Sequence, residues 1–354
     1  MEKKRIDGLD VLKALGICMV LSLHVPLWDP DFITNPNIVH ILQYAARIVS
    51  EGVPIFLTIN GMLLLKKSTF SLKQHCKKML RIFAVFLLWG ILLVCVGCIT
   101  SGEKITVNGV FQYIILTVVG SKYTGVLWFL QNLLGVYLIF PLLWYTYTEH
   151  ENIFEYFFWV VFVFAEGVNA IGLVRDIVAA YRDVTDINNI INAIMRFSSI
   201  GDLWYVFYFC LGGMIWKYRE KLIAKRKKWI VIGAFSWIGA LGYAVCLSEK
   251  TGVLYSASFN YSSLFMLLFL LGLFALFLPY QKRNNFVDTF IASIGKNTFG
   301  IYLSHFIFIF TLQRFWTYSG FVERLIAFCI VFASSYVFTV IINRIPGLCK
   351  IIQI

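Results

Sequence analysis

Apolar runs of about twenty residues recur along the chain, each closed by charged, Pro or Gly positions. In order they predict about ten membrane-crossing helices: 9–28, 41–65, 82–99, 126–144, 154–174, 203–216, 229–247, 259–278, one around Tyr302 and 326–342. Residues 66–81 read as a basic loop feeding the third helix. Segment 110–119 is too short to span and reads as re-entrant or interfacial. The stretch 175–201 is the longest without an apolar run, and a loop of that length is a candidate acceptor surface. The expectation is an all-α integral-membrane fold, a single bundle over residues 1–354 with no soluble domain.

Composition agrees, with 59% hydrophobic residues against about 45–50% in a soluble chain. The net charge of +12 changes the picture only through its distribution. Lys and Arg concentrate before helix 1, between helices 2 and 3, between helices 6 and 7, around the start of helix 9 and at the C-terminus. That is the positive-inside bias, with both termini cytoplasmic, and it excludes a nucleic-acid partner. The lipid bilayer is the expected surrounding; whether the chain forms a homo-oligomer is left open. Of the eight cysteines, Cys95 and Cys98 alone have metal or redox spacing, and no second pair or histidine cluster joins them, so no metal site is expected.

Against this background the ionisable positions inside apolar helices stand out, since such groups are costly there, about 2.5–3.5 kcal/mol for an Arg, Lys or Asp at a span centre. Asp10, Lys13 and His24 fall within about 60° on one helix face. His24 lies roughly 16 Å past Lys13 and His305 roughly 14 Å past Lys296, so both histidines sit near mid-membrane. Glu166 comes out at a similar level. Asp10 cannot orient His24, because about 21 Å of the same helix separates them. His24 fits a general base reached from both sides of the membrane, or a hydrogen-bonding residue between helices. Glu51 and Glu166 fit helix glue, an ion path or orientation of a histidine. Lys77, Lys78 and Arg81 fit a phosphate clamp or topogenic charge against anionic lipid.

Five blocks then resemble, in order, the membrane-bound acyltransferase family 3 of cell-surface O-acetyltransferases. They are Leu9-Asp10-Val11-Leu12-Lys13 followed by His24; Val53-Pro54-Ile55-Phe56-Leu57-Thr58-Ile59-Asn60-Gly61; and Lys78-Met79-Leu80-Arg81, similar to the family's R-x-x-R. Next come Leu127-Trp128-Phe129-Leu130 with Tyr137 and Pro141, and Ile294-Gly295-Lys296-Asn297-Thr298-Phe299-Gly300-Ile301-Tyr302-Leu303-Ser304-His305. The resemblance implies that cytoplasmic acyl-CoA, usually acetyl-CoA, donates its acyl group to a hydroxyl of a glycan or other exported acceptor at the outer face. It implies His24 as base or acyl relay, and Lys78 and Arg81 at the donor phosphates. Lys13 and Lys78 stand where the family has arginine, keeping charge but losing the planar fork. Asn60 replaces a serine and keeps a hydrogen-bonding side chain.

The expectation is therefore a multi-pass O-acyltransferase of the bacterial plasma membrane, transferring groups other than amino-acyl groups. Its catalytic residues are His24 and His305, its donor-binding residues are Lys78 and Arg81, and Asp10, Lys13, Asn60, Trp128, Glu166 and Tyr302 support them. Acyl-CoA is a substrate, and no bound cofactor is expected. The rival is a multi-span transporter or flippase of a small polar molecule or lipid-linked sugar, which midplane polar residues and helix glycines also suit.

Overall fold

The computed structural model describes residues 6–28, 33, 37–102, 104–112, 127–181, 203–255 and 261–353. Among these residues there are helices and no strand. In chain order they are α1 (Asp7–His24), α2 (Ile38–Ile48), α3 (Val53–Leu65), α4 (Leu72–Ser101), α5 (Trp128–Glu149), α6 (Glu151–Phe162) and α7 (Val168–Tyr181). There follow α8 (Trp204–Lys217), α9 (Arg219–Ala224), α10 (Arg226–Thr251), α11 (Leu264–Phe277), α12 (Phe286–Phe315) and α13 (Phe321–Arg344), with a last 3-10 turn at Leu348–Ile351. Among the described residues six helical stretches are long and apolar enough to cross a membrane: Ile38–Leu65, Leu72–Ser101, Trp128–Glu149, Glu151–Tyr181, Arg226–Thr251 and Phe321–Arg344. Large apolar side chains such as Leu138, Leu142, Phe235 and Val337 are exposed along them, as expected of faces turned to lipid.

Three local differences from the sequence reading matter. The second predicted span is two helices, α2 and α3, broken at Ser50-Glu51-Gly52. Pro54 sits at the start of α3, where its missing N–H and fixed φ suit a helix beginning. The predicted basic loop is helical from Leu72 onward, started by the Ser71 N-cap and built from Lys, Gln, Met, Leu and Arg, which are good helix formers. Here propensity and continuity with the apolar helix outweigh charge crowding, and Lys73 and Lys77 project from the exposed side. The predicted fifth span extends over Glu151–Tyr181 and carries a π-turn at Val163–Gly167 around Glu166. Segment 110–119 and the 175–201 loop lie mostly outside the described residues. Their described parts, 110–112 and 175–181, are helical.

The core is organised on α1, which packs against α3, α11, α12 and α13. α3 in turn lies on α8, α4 on α12, and α10 on α11. Small residues set the close approaches: a Cβ added at Gly295 of α12 would stand 2.7 Å from the carbonyl oxygen of Asp10, so only glycine lets the α1 backbone come this near. That contact brings α1 and α12, and with them His24 and His305, side by side.

Candidate active site

The two histidine rings meet, with centroids 5.2 Å apart and planes inclined at 37°. Phe306 packs on both, at 4.7 Å from His24 and 4.3 Å from His305. His305 is fully buried, and its Nδ1 lies 2.5 Å from the carbonyl oxygen of Tyr302, one turn back on α12. A carbonyl only accepts, so in the neutral ring Nδ1 carries the proton and Nε2 carries the lone pair. That Nε2 has no hydrogen-bond partner among the described residues. The sequence-level depth estimate thus placed two residues of different helices at one level, and helix packing turned that level into contact.

Three cavities lead from one end of α1 toward this pair, and His24 lines the last of them. The first, of about 390 Å³, is lined by Lys13, Lys78 and Lys296 at charged positions and by Asn60, Tyr137, Thr298, Tyr302 and Gln353 at polar ones. The Asn60 Oδ1 accepts from the Tyr137 hydroxyl at 3.3 Å, and its Nδ2 donates to the Phe56 carbonyl at 2.9 Å. The Lys78 ammonium lies over the Tyr137 ring, 5.2 Å from its centroid. A wider recess of about 930 Å³, lined by Asp10, Lys66, Lys67, Ser68, Thr69, Gln74 and Trp216, shares Lys13 and Leu63 with the first cavity and so adjoins it. The third is a small pocket of about 40 Å³ lined by His24, Glu51, Trp128, Tyr261 and Tyr302. Val20, Val53, Phe129 and Tyr302 are common walls of the small pocket and the lysine-lined cavity. His24 therefore sits on the far side of a thin partition from the cavity that carries the positive charge.

The break between α2 and α3 explains how Glu51 reaches this place. Irregular backbone is tolerated at membrane depth where it lines a cavity, and Gly52 lets the turn pass close to α1 at Gly16. Glu51 bonds to the Tyr261 hydroxyl, while its Oε2 is buried without a hydrogen-bond partner. Tyr261 stacks on Trp204, with centroids 4.6 Å apart, and packs at 5.5 Å against Trp128. An aromatic wall thus backs one carboxylate and one imidazole.

Of the expected site residues, His24, Trp128 and Tyr302 meet at the small pocket, and Lys13, Asn60, Lys78 and Tyr302 line the lysine-lined cavity. Asp10 is buried and lines the wider recess with Lys13. Two residues stand apart. Arg81 is exposed and donates from Nε and Nη2 to the Lys350 carbonyl, at 3.3 and 3.0 Å. Glu166 is fully buried in the π-turn among residues that line none of these three cavities. Sequence reasoning missed the His75 bond to the Tyr137 carbonyl, 2.8 Å long, which fixes α4 on α5, and the cavity walls Ile352 and Gln353. It left Glu51 among several readings; the Gly-Val-Pro that follows it was the available sign of a broken helix.

No group of three or more His, Cys, Asp or Glu able to hold a metal ion occurs among the described residues. No curated protein and no solved structure matches the chain. A family model described as an acyltransferase domain matches residues 6–344, nearly the whole length. The blocks that carried the resemblance all fall within that match, and the chain belongs to the acyltransferase 3 family of membrane acyltransferases.

Proposed function

We propose that the protein is an O-acyltransferase of the bacterial plasma membrane that moves an acyl group, acetyl in the simplest case, from cytoplasmic acyl-CoA to a hydroxyl of a glycan or other exported molecule. It crosses the membrane about ten times with both termini in the cytoplasm, as the distribution of Lys and Arg supports. One observation carries the reading: His24 lines a small pocket together with the Glu51 carboxylate and the Trp128 and Tyr261 rings, and that pocket shares four wall residues with the lysine-lined cavity.

Each space suits one substrate. The anionic nucleotide end of the donor rests in the wider recess at Lys66 and Lys67, and its pantetheine arm passes Lys13 and Lys78 into the lysine-lined cavity. The acceptor presents one hydroxyl at the small pocket, where the unpaired Glu51 oxygen takes a hydrogen bond from a neighbouring hydroxyl and the Trp128 and Tyr261 rings meet the apolar face of a sugar. His24 removes the proton of the reacting hydroxyl as its oxygen adds to the thioester carbonyl. The tetrahedral intermediate then expels the CoA thiolate, which takes up the proton from the His24 imidazolium. His305 is the polar neighbour that receives this charge change; its unpartnered Nε2 offers a lone pair toward a region otherwise filled by Phe306.

The test is His24→Ala in membranes matched for protein amount, assayed for transfer from radiolabelled acetyl-CoA to cell-envelope material. Loss of transfer by 100-fold or more is expected of a missing general base; retained transfer sinks the reading. Solute uptake into vesicles without release of CoA would point to transport instead.

A further inference from the structure

The residues after α13 fold back over the bundle and close one wall of the lysine-lined cavity. Trp89 Nε1 donates to the Ile351 carbonyl at 2.9 Å, and Arg81 donates twice to the Lys350 carbonyl. Both donors belong to α4 and lie about two turns apart, so two consecutive peptide carbonyls are gripped from one helix. Ile352 is then buried, with 2% of its surface exposed, and lines the cavity beside Gln353. From Gln353 a relay of amides runs back into the bundle. Its Nε2 donates to Asn343 Oδ1 at 2.7 Å, Asn343 Nδ2 to Asn297 Oδ1 at 2.6 Å, and Asn297 Nδ2 to the Ser293 carbonyl at 2.8 Å. Asn297 is the residue after Lys296, itself a wall of the same cavity.

We infer that this C-terminal strap is part of the donor site, and that Arg81 and Trp89 are positioning residues that act on the donor through it. The inference rests on the reading of the lysine-lined cavity as the acyl-CoA site. The chemistry fits an arm of alternating amides and methylenes. Ile352 offers an apolar wall, and the Gln353 carbonyl, which the amide relay does not use, accepts an N–H. The planar, two-donor grip on the Lys350 carbonyl also gives a reason for arginine at position 81 other than a phosphate fork, since a lysine there would make one such bond and not two.

The experiment uses the full chain in lipid nanodiscs and coenzyme A itself as probe. Trp89→Phe keeps the ring and removes the donor; Gln353→Ala removes the amide; Arg81→Lys keeps the charge and loses the fork. Each should weaken coenzyme A binding about three- to tenfold and raise the donor KM alike, with kcat and acceptor KM within twofold of wild type. In Gln353→Cys, maleimide labelling at that position, read by peptide mass spectrometry, should slow several-fold when coenzyme A is added. Unchanged binding in all three substitutions, or labelling indifferent to coenzyme A while the protein binds it, overturns the role of the strap and leaves the acyltransferase reading standing. If the wild-type chain does not bind coenzyme A, both fall together.

Discussion

At the scale of single residues, the pairing of His24 with Glu51 is the feature with most consequence. In the proposed reaction one group removes a proton and the other holds the molecule that loses it; His24 closes α1 and Glu51 sits in the break between α2 and α3. Glu51→Gln keeps size and the bond to Tyr261 but removes the charge that makes a strong acceptor. It should raise the acceptor KM and lower transfer about ten- to hundredfold, while coenzyme A binding stays as in wild type. Measurement of donor binding beside transfer separates this from misfolding. Lys78→Ala should do the reverse, weakening the donor and sparing the acceptor KM, because its ammonium lines the lysine-lined cavity alone. Glu166 has no such position. Glu166→Gln is expected to leave the ratio of donor to acceptor KM unchanged in the same assay, its burial in the π-turn being a matter of helix packing.

At the scale of helices, close packing through glycine decides where His24 and His305 meet. Gly61 of α3 and Gly212 of α8 each stand directly against the partner's backbone, at Phe209 and Thr58. A side chain there has nowhere to go without moving a helix. Gly212→Val should cost about 1–3 kcal/mol or more, seen as a lower midpoint of thermal unfolding in nanodiscs. Gly295→Val acts on the α1–α12 contact instead, so it should separate the His24 and His305 rings and lower kcat beyond its effect on stability. A kcat that follows only the folded fraction would refute that link. The broken span α2–α3 belongs to the same logic. A continuous helix would carry Glu51 round with the turn, whereas the break holds it at the pocket.

At the scale of the whole molecule, charge is asymmetric, and the recess at Lys66 and Lys67 gathers part of it at the mouth of the lysine-lined cavity. Replacing both lysines by glutamate should weaken coenzyme A binding and flatten its dependence on salt, as titration across ionic strength would record. The same asymmetry predicts that Cys76, exposed near the start of α4, and Cys349, in the strap, are shielded from a membrane-impermeant thiol reagent in intact cells and labelled once the envelope is opened. Labelling of either before opening would reverse the topology.

The sequence by itself determined the helical membrane class, the family, and the residues that carry cost in a bilayer, because a run of apolar side chains and a buried imidazole are local properties of the chain. It also put His24 and His305 at similar distances along their helices, because helix rise is constant. What the tertiary structure decided is which of these residues share a space. Lys78 and Arg81, three residues apart on α4, are placed together at the donor phosphates by the family resemblance. Yet Lys78 lines the lysine-lined cavity and Arg81 holds the strap, because the neighbours on each side of the helix differ. Glu51 and Glu166 looked alike as carboxylates in apolar helices, and only packing separates the one at a pocket beside His24 from the one enclosed in a π-turn. The strap itself left no pattern in the sequence, for its bonds run from backbone carbonyls to side chains more than 260 residues away. Backbone groups are the same at every position, so no residue pattern tells which of them a distant tryptophan or arginine will find.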